Sequence, residues 1–484
     1  MIIGAVAMGL IDEWAPTPGS VVSWHPSPAA IAKAQLAPIS AVPASYMQAQ
    51  HLRGYSEQAA RGLDYSRLVI ATWTLAGRCD TRAMSYVINA HLRRHDTYRS
   101  WFEYKDADHI VRRTLPDCSD IEFIPIDHGE MTAAELRRHI VSTPDPLHWD
   151  CFRFGVIQAT DCFTVYVSVD HLNMDATFVA VAHMEFYLMY ASLVGGGAPV
   201  VLPEAGSYDD FCVREHQYLS TLTSESPLVR AWTEFAENNN GSFPDFPLPL
   251  GDPAVPCTAG MVTETLMKEH QMIRFESACV EAGARFVGGV LACAALAEHE
   301  LTGSDTYYGL TPRDTRSAPA DFTTAGWFTG LIPITVPIAP AFGDTARAAQ
   351  ASFDSGTDLA NVPFYRVLEL APRLTWPRPN YPVVNYFDAG VPPLSAFFTA
   401  RLDATNVGVY TDDRYSYQMS IFVVRVEKET RVMVMFPNNE IARASVGRYV
   451  DAMKSVCARV AEGRAAVPPR SAAQPGIALG TIKC

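Results

Sequence analysis

The chain has 484 residues, of which 48% are hydrophobic and 19% are charged, and its formal net charge is −14. A single hydrophobic core stops growing at roughly 250–300 residues, so the length predicts two domains and the composition excludes a largely disordered chain. No basic run with interleaved aromatic residues offsets the acidic balance, which argues against nucleic acid as a partner.

The N-terminal segment predicts neither a leader nor a membrane span. Residues 1–44 are rich in Pro, Ala and Ser, which predicts an extended lead-in lying over a domain surface. The short apolar stretch before Asp12 lacks a basic flank and is far shorter than the ~20 apolar residues that a span needs. The ten cysteines form no CxxC pair, as expected of reduced core thiols. These features predict a cytoplasmic protein.

Regular structure is predicted to begin at Ser45. Helical periodicity predicts helices at 46–63, 81–94 and 132–140, and β-branched or aromatic runs such as SRLVIATWTL and FRFGVIQAT predict strands between them. This alternation predicts an α/β domain over residues 45–236.

A second domain is predicted after a linker. The segment 237–257 is dense in Asn, Gly and Pro and cannot continue a helix or a central strand. Helices and strands alternate again beyond it, which predicts another α/β domain over residues 258–463. The Pro- and Ala-rich residues 464–484 predict a flexible tail.

The segment FTVYVSVDHLNMDATFVAVAHMEF is the most informative about chemistry. A strand-like run ends just before His171, and an apolar helix is predicted to begin after its N-cap, Asp175. A side chain at such a turn is held at the end of a rigid strand. Because the ordinary pKa of an imidazole is near 6.5, His171 could accept a hydroxyl proton at neutral pH. Taken alone, the HxxxD spacing is more often a capping Asp beside a partly buried His.

Six segments, taken in chain order, resemble the motifs of the condensation-domain superfamily, which includes chloramphenicol acetyltransferase-like enzymes. Within that superfamily, the chain is similar to the mycobacterial polyketide-associated acyltransferases that acylate trehalose and make diacyltrehalose-type glycolipids. The matching segments are SYMQAQ (45–50), RHDTYRSWF (94–102), VDHLNMD (169–175), YDDFCV (208–213), GWFTGLIPI (326–334) and NVPF (361–364).

The resemblance implies two chloramphenicol acetyltransferase-like α/β domains arranged in a V, with a tunnel at their interface and His171 at its middle. It implies transfer of a long-chain acyl group, from acyl-CoA such as palmitoyl-CoA or from a polyketide-synthase thioester, to a hydroxyl of trehalose. It implies no cofactor, with acyl-CoA as co-substrate. The implied partners are a polyketide synthase and a lipid exporter, reached at the inner face of the plasma membrane.

The resemblance also implies roles for individual residues. His171 is the implied general base, and Asp175 is the implied structural carboxylate that pairs with an arginine, for which Arg313 is the first candidate and Arg316 the second. Asp170 and Ala176 stand where many amide-forming condensation domains have His and Gly. Because ester-forming relatives vary at both positions, these departures weaken amide synthesis more than ester synthesis.

Four residues near the motifs are predicted to line the acyl tunnel, although aromatic residues beside a strand more often belong to a core. They are Asn173, Phe178, Trp327 and Phe328. The flanking His95, in the second motif, is predicted to be structural more often than substrate-binding. The twelve-residue gap from His171 to His183 lacks the usual zinc spacing, so no metal is predicted.

Other chemistries find no support in the sequence. No GxSxG elbow, Walker loop or dinucleotide glycine loop is evident, so neither a covalent serine mechanism nor use of ATP or NAD is predicted. Two alternatives to the ester-forming enzyme remain: a carrier-protein-dependent enzyme that forms amides, and a catalytically silent lipid-binding module. The presence of both His171 and Asp175 argues against silence.

Overall fold

The computed structural model describes residues 7–378, 380–388, 406–426 and 428–464, and the predicted tail lies outside them from residue 465 onward. Strands and helices alternate along these ranges, as an α/β protein requires. The strands are β1 (Ala7–Leu10), β2 (Gly19–Pro26), β3 (Leu68–Ala76), β4 (Ser100–Asp106), β5 (His109–Thr114), β6 (Phe123–Met131), β7 (Phe152–Gln158), β8 (Cys162–Asp170), β9 (Ala259–Lys268), β10 (Thr306–Asp314), β11 (Thr329–Pro337), β12 (Pro382–Asp388), β13 (Gly408–Thr411), β14 (Met419–Arg425) and β15 (Glu429–Pro437).

The three helices predicted in the first half are confirmed to within a few residues, and side-chain caps fix their starts. Ser45 and Thr132 each form a capping box, and Asp80 accepts two backbone N–H bonds at the start of the helix between them. The helices are α1 (Pro28–Gln35), α2 (Tyr46–Ala60), α3 (Thr81–Arg94), α4 (Ala133–Val141), α5 (Ala176–Val194), α6 (Tyr208–Ser220), α7 (Pro227–Asn238), α8 (Glu269–Glu281), α9 (Phe286–Thr302), α10 (Phe342–Ser355), α11 (Phe364–Leu370) and α12 (Glu440–Ala461).

A seven-stranded sheet organises the N-terminal half, in the order β1-β13-β3-β8-β7-β2-β6. The sequence predicts a surface lead-in over residues 1–44, but the structure instead inserts β2 between β7 and β6. The reason is hydrophobic burial, because Val21 and Trp24 point to opposite faces of the sheet and both are fully buried.

Helices cover both faces of this sheet. On one face, α3 and α5 pack against Trp24, Trp73 and Phe154. On the other face, Leu136 and Ile140 of α4 pack against strand side chains that include Val21. Since β8 lies in the middle of this sandwich, the residue that follows it is held at the end of a rigid strand.

Among the described helices, α5 is long and apolar enough to cross a membrane by length and composition, and α8 and α9 pass the same test only as a pair bent by 96°. In the structure, α5 packs Phe178, Ala182 and Phe186 into the core beneath the seven-stranded sheet. A buried core helix meets the same criteria of length and composition. We therefore assign α5 to the core.

The C-terminal half has a four-stranded sheet, β12-β14-β15-β9, and a separate hairpin of β10 and β11. The helices α8, α9, α10 and α12 pack on this half around one large apolar cluster. The predicted linker, 237–257, falls between α7 and β9 except for its first two residues, which end α7.

Two segments of the C-terminal half reach across to the N-terminal half. Strand β13 pairs with β3 and β1, which makes it part of the seven-stranded sheet. The loop 315–328, which joins β10 to β11, crosses toward the start of α5. Both crossings bring residues from the two halves of the chain to the end of β8.

Candidate active site

His171 begins a single turn of 3-10 helix, His171–Asn173, directly after β8. The backbone N–H of His171 donates to the carbonyl of Arg67, and the Gln48 side chain donates to the carbonyl of Leu172 at 3.1 Å. These two hydrogen bonds fix the backbone of His171 and of the residue that follows it. The His171 Nδ1 atom is buried and has no hydrogen-bond partner among the described residues. The imidazole is therefore held in place by its backbone and by packing.

The environment keeps the imidazole of His171 uncharged. Burial, followed by the electrostatic effect of nearby His51, lowers the pKa of His171 from 6.5 to about 4. The ring's own backbone carbonyl, Asp170 and Asp175 act in the opposite direction but do not cancel this effect. At neutral pH the ring is unprotonated, which is the state that a general base needs.

Protonation of buried histidines should cost stability at acidic pH. Burial lowers the pKa of His183 to about 4, like that of His171, whereas the unfolded chain binds these protons near pH 6.5. Each histidine therefore lowers the stability as pH falls from 6.5 toward 4, with a slope approaching about 1.4 kcal/mol per pH unit. Glu215 and Glu298 act in the opposite direction, because burial raises their pKa to about 7. Thermal unfolding of the wild type and of His183→Gln between pH 7 and 5 isolates the histidine contribution, and equal pH dependence of the two midpoints would contradict it.

A buried ion network lies immediately before His171. Asp170 is fully buried, and its carboxylate accepts from Arg67 at 2.8 Å and contacts His51 Nε2 at 2.7 Å. Burial alone would raise the pKa of Asp170, but His51 and Arg67 lower it below its ordinary range. The result is a carboxylate that ties α2 and β3 to the end of β8.

Asp175 caps α5 and joins the two halves of the chain. One carboxylate oxygen accepts the backbone N–H groups of Thr177 and Phe178. The Arg316 guanidinium donates to both carboxylate oxygens, at 2.7 and 3.1 Å, and the backbone N–H of Phe328 donates to Oδ2 at 3.0 Å. Every partner is structural, and the ion pair is almost fully buried.

The arginine preferred from the sequence, Arg313, is not the partner of Asp175. Arg313 still belongs to β10, where it pairs with Gly330, and its guanidinium lies 4.9 Å from the ring centre of Phe353. Arg316 comes after the strand has ended, in the loop that crosses to α5. The second candidate is therefore correct, because the pairing depends on where β10 ends.

The crossing loop also places an aromatic ring against the candidate base. The ring centres of Trp327 and His171 are 4.2 Å apart, and the ring centre of His51 lies 5.8 Å from that of Trp327. Trp327 is partly exposed. Of the four residues predicted to line the tunnel, it is the one that contacts His171 through its ring.

The other three predicted tunnel residues are buried in the protein interior. Asn173 bonds to Thr97 and to the sulfur of Cys151. Phe178 packs into the core of the seven-stranded sheet, and Phe328 packs against Tyr208 and beneath the guanidinium of Arg316. Fully buried side chains like these support the site but do not line a channel, so the prediction is corrected for these three residues.

His95 has the structural role that the sequence favours. It is fully buried, its Nε2 lies 3.1 Å from Glu185, and its Nδ1 accepts the backbone N–H of Ala325 in the crossing loop. His183 packs edge-on against Trp73, about 11 Å along α5 from the N-terminus of that helix. Neither side chain is part of the group around His171.

Sequence reasoning overlooked His51 and Arg67. His51 directly follows the first condensation-like motif, and Arg67 precedes β3, so their neighbourhoods were recognisable. Their pairing with Asp170 could not be recognised, because both residues lie more than 100 positions before Asp170 in the sequence. The useful signal was Asp170 itself, since an acidic residue beside a buried base needs a cationic partner.

Two α/β halves joined at a strand-end histidine and a buried Asp–Arg pair define the condensation-domain class of protein. The Condensation domain family matches residues 52–375. Acyltransferase PapA3 of Mycobacterium tuberculosis is 64% identical over 95% of this chain and 98% of its own length. From the same species, 2'-acyl-2-O-sulfo-trehalose (hydroxy)phthioceranyltransferase PapA1 is 59% identical over 96% of this chain and 90% of its own length.

A solved structure agrees with these relatives. The structure of PapA2 acyl transferase is 54% identical, covers 94% of this chain and 100% of that chain, and superposes with a TM-score of 0.91. The chain belongs to the Pap acyltransferases of the condensation-domain family. It is therefore an acyltransferase, and its fold is the two-lobed one that the sequence predicts. The interface tunnel stays a prediction.

Proposed function

We propose that this acyltransferase moves a long-chain fatty acyl group from a thioester to a hydroxyl of trehalose, with His171 as general base. The observation that carries the proposal is the neutral, buried imidazole at the end of β8, against which Trp327 packs from the other half of the chain. A base in this state can accept a proton as soon as an acceptor hydroxyl reaches it.

The chemistry needs one base and two substrates. His171 takes the proton of the acceptor hydroxyl while the oxygen attacks the thioester carbonyl, and a tetrahedral oxyanion forms. Collapse of the oxyanion breaks the carbon–sulfur bond, and the protonated His171 returns its proton to the departing thiolate. Asp175 takes no proton in this scheme, because Arg316 and three backbone N–H groups already occupy its oxygens.

Support for the acceptor comes from the relatives. PapA1 is named for acyl transfer to a sulfated, acylated trehalose, and its match spans nearly the whole of this chain. We propose trehalose or an acylated trehalose as the acceptor here, and a long-chain acyl-CoA or a polyketide-synthase thioester as the donor. No cofactor is required. The lipid product favours a cytoplasmic enzyme working at the inner face of the membrane, close to a lipid exporter.

The enzyme should discriminate between acyl donors by their chain length. The reaction should also proceed without an acyl-enzyme. Each buried CH₂ contributes about 0.8 kcal/mol until the site is filled, so palmitoyl-CoA should react far faster than acetyl-CoA. Incubation of the full chain with each donor, with trehalose or sucrose as acceptor, and chromatography of the glycolipid would measure this. Equal rates with both donors, or equal use of both sugars, would contradict the proposal.

A second measurement separates direct transfer from a covalent route. Intact-mass spectrometry of the enzyme mixed with palmitoyl-CoA and no sugar should show the unmodified chain, because the scheme uses no nucleophilic serine or cysteine. The buried thiol of Cys151 contacts Asn173 in the turn His171–Asn173 at 3.2 Å, and burial raises the pKa of this thiol well above its ordinary value. An acyl adduct that disappears when trehalose is added would replace direct transfer with a two-step mechanism.

A further inference from the structure

Three histidines converge at the edge of the N-terminal half, where β2 and β6 lie two and three strands away from β8 in the sheet. His25 lies on β2, His128 on β6 and His139 on α4, and each is partly exposed. One potential ligand atom from each residue lies within 4.8 Å of the others. The ring centres of His128 and His139 are 4.6 Å apart, and each lies about 6 Å from that of His25.

A β-bulge turns His128 toward the other two rings. Strand β6 pairs Asp127 with Val22 and Gly129 with Val21, so His128 is an extra residue without a partner on β2. Gly129 has a φ of 69°, which a residue with a side chain rarely adopts. Bulges re-aim a side chain and persist where that direction is used.

The ring nitrogens are incompletely satisfied by the protein. The Ser23 hydroxyl lies 2.7 Å from Nε2 of both His25 and His128, and it can donate to one ring while it accepts from the other. Nε2 of His139 is buried and has no hydrogen-bond partner among the described residues. A buried polar atom without a partner is costly, and an ion between the rings would remove that cost.

One positive charge lies beside the three rings. Arg153 donates to the His139 carbonyl and to Ser142. Its charge weakens the binding of a cation at this site, so the imidazole nitrogens must supply the attraction.

We propose that His25, His128 and His139 bind one divalent transition-metal ion of the Zn²⁺ type, at a site separate from the acyl-transfer site. Three imidazole nitrogens and one water or hydroxyl are a ligand set that Zn²⁺ prefers. Tetrahedral nitrogen ligands lie about 3.4 Å apart, so ligand atoms that are within 4.8 Å of one another need to approach by at most about 1.4 Å. The ion would fasten the edge strand β6 and helix α4 to β2.

A second histidine cluster shows what distinguishes the proposed site. His91, His95 and Glu185 also lie within ligand distance of one another, but all three are fully buried. Glu185 accepts from both rings and from Arg94, and the remaining ring nitrogens bond to Tyr98 and Ala325. The hydrogen bonds of that cluster are satisfied within the protein, whereas the cluster at β6 leaves Nε2 of His139 without a partner among the described residues.

The test is metal binding to the tag-free full chain. Isothermal titration with Zn²⁺ in a non-chelating buffer should show one site with a dissociation constant in the micromolar range or below, together with a higher thermal midpoint. His128→Gln and His139→Gln should each weaken binding at least tenfold. Co²⁺ should give the visible spectrum of nitrogen ligation without a thiolate charge-transfer band, which excludes the cysteines as ligands.

A matched control is His109→Gln, which removes a histidine that is 71% exposed on the β4–β5 hairpin. It should bind Zn²⁺ like the wild type. Absence of Zn²⁺ binding by the wild type, or equal binding by all three variants, would overturn the proposal. Circular dichroism of His128→Gln and His139→Gln, without metal, should match that of the wild type, so that lost binding reports lost ligands and not lost fold.

Discussion

Replacement of His171 by Ala should lower turnover by roughly 10²–10⁴ and leave the fold intact. This range is the usual contribution of a positioned general base. The fold should persist because the His171 side chain is uncharged and its Nδ1 makes no hydrogen bond with the described residues, while the turn is held by backbone contacts to Arg67 and Gln48. Steady-state kinetics with palmitoyl-CoA and trehalose would measure the loss.

The matched control is His216→Ala, which removes an exposed histidine from α6. It should retain wild-type turnover. Thermal unfolding of both variants separates lost chemistry from lost fold, since the His171 variant should keep a midpoint close to that of the wild type. Turnover within a few-fold of wild type in His171→Ala would remove the general base from the proposal.

The sequence predicted the position of His171 and Asp175 because that information is local. A strand-like run, a short turn and an N-cap before an apolar helix follow one another within about fifteen residues, and each step has its own physical signal. The structure reproduces them in the same order, from β8 through the 3-10 turn to α5.

Contacts between distant segments were beyond local signals. Arg313 and Arg316 are three residues apart, and only the end of the β10–β11 pairing decides which of them leaves the hairpin. Strand β13 is four residues long and joins a sheet made of the opposite half of the chain. No periodicity in GVYT indicates which strand it will pair with, because pairing partners are set by tertiary contacts.

Hydrophobicity also could not separate the tunnel from the core. Phe178, Trp327 and Phe328 are all large aromatic residues close to the motifs, yet two of them are fully buried and Trp327 alone touches His171. The sequence pattern around an aromatic residue is the same whether its ring fills a core or lines a channel. The difference depends on which face of the crossing loop meets α5.

Replacement of Arg316 by Met should destabilise the protein far more than the same change at Arg313. Removing one partner of a buried ion pair costs about 3–5 kcal/mol, because the other charge is left uncompensated. Arg316 is fully buried against Asp175, whereas Arg313 is partly exposed over Phe353. For a lobe of about 200 residues, this corresponds to a fall in the thermal midpoint of roughly 6–20 °C, measured by calorimetry.

Activity should fall together with stability in the Arg316 variant. The crossing loop that carries Arg316 also carries Trp327, so loss of the ion pair frees the ring that packs on His171. Combining Arg316→Met with Asp175→Asn should restore part of the lost midpoint, since the stranded charge is then gone. The contact with Phe328 and the helix cap would still be weakened. Equal midpoints for the Arg313 and Arg316 variants, or full inactivation of Arg316→Met at an unchanged midpoint, would contradict the stabilising role of the Asp175–Arg316 pair between the two halves.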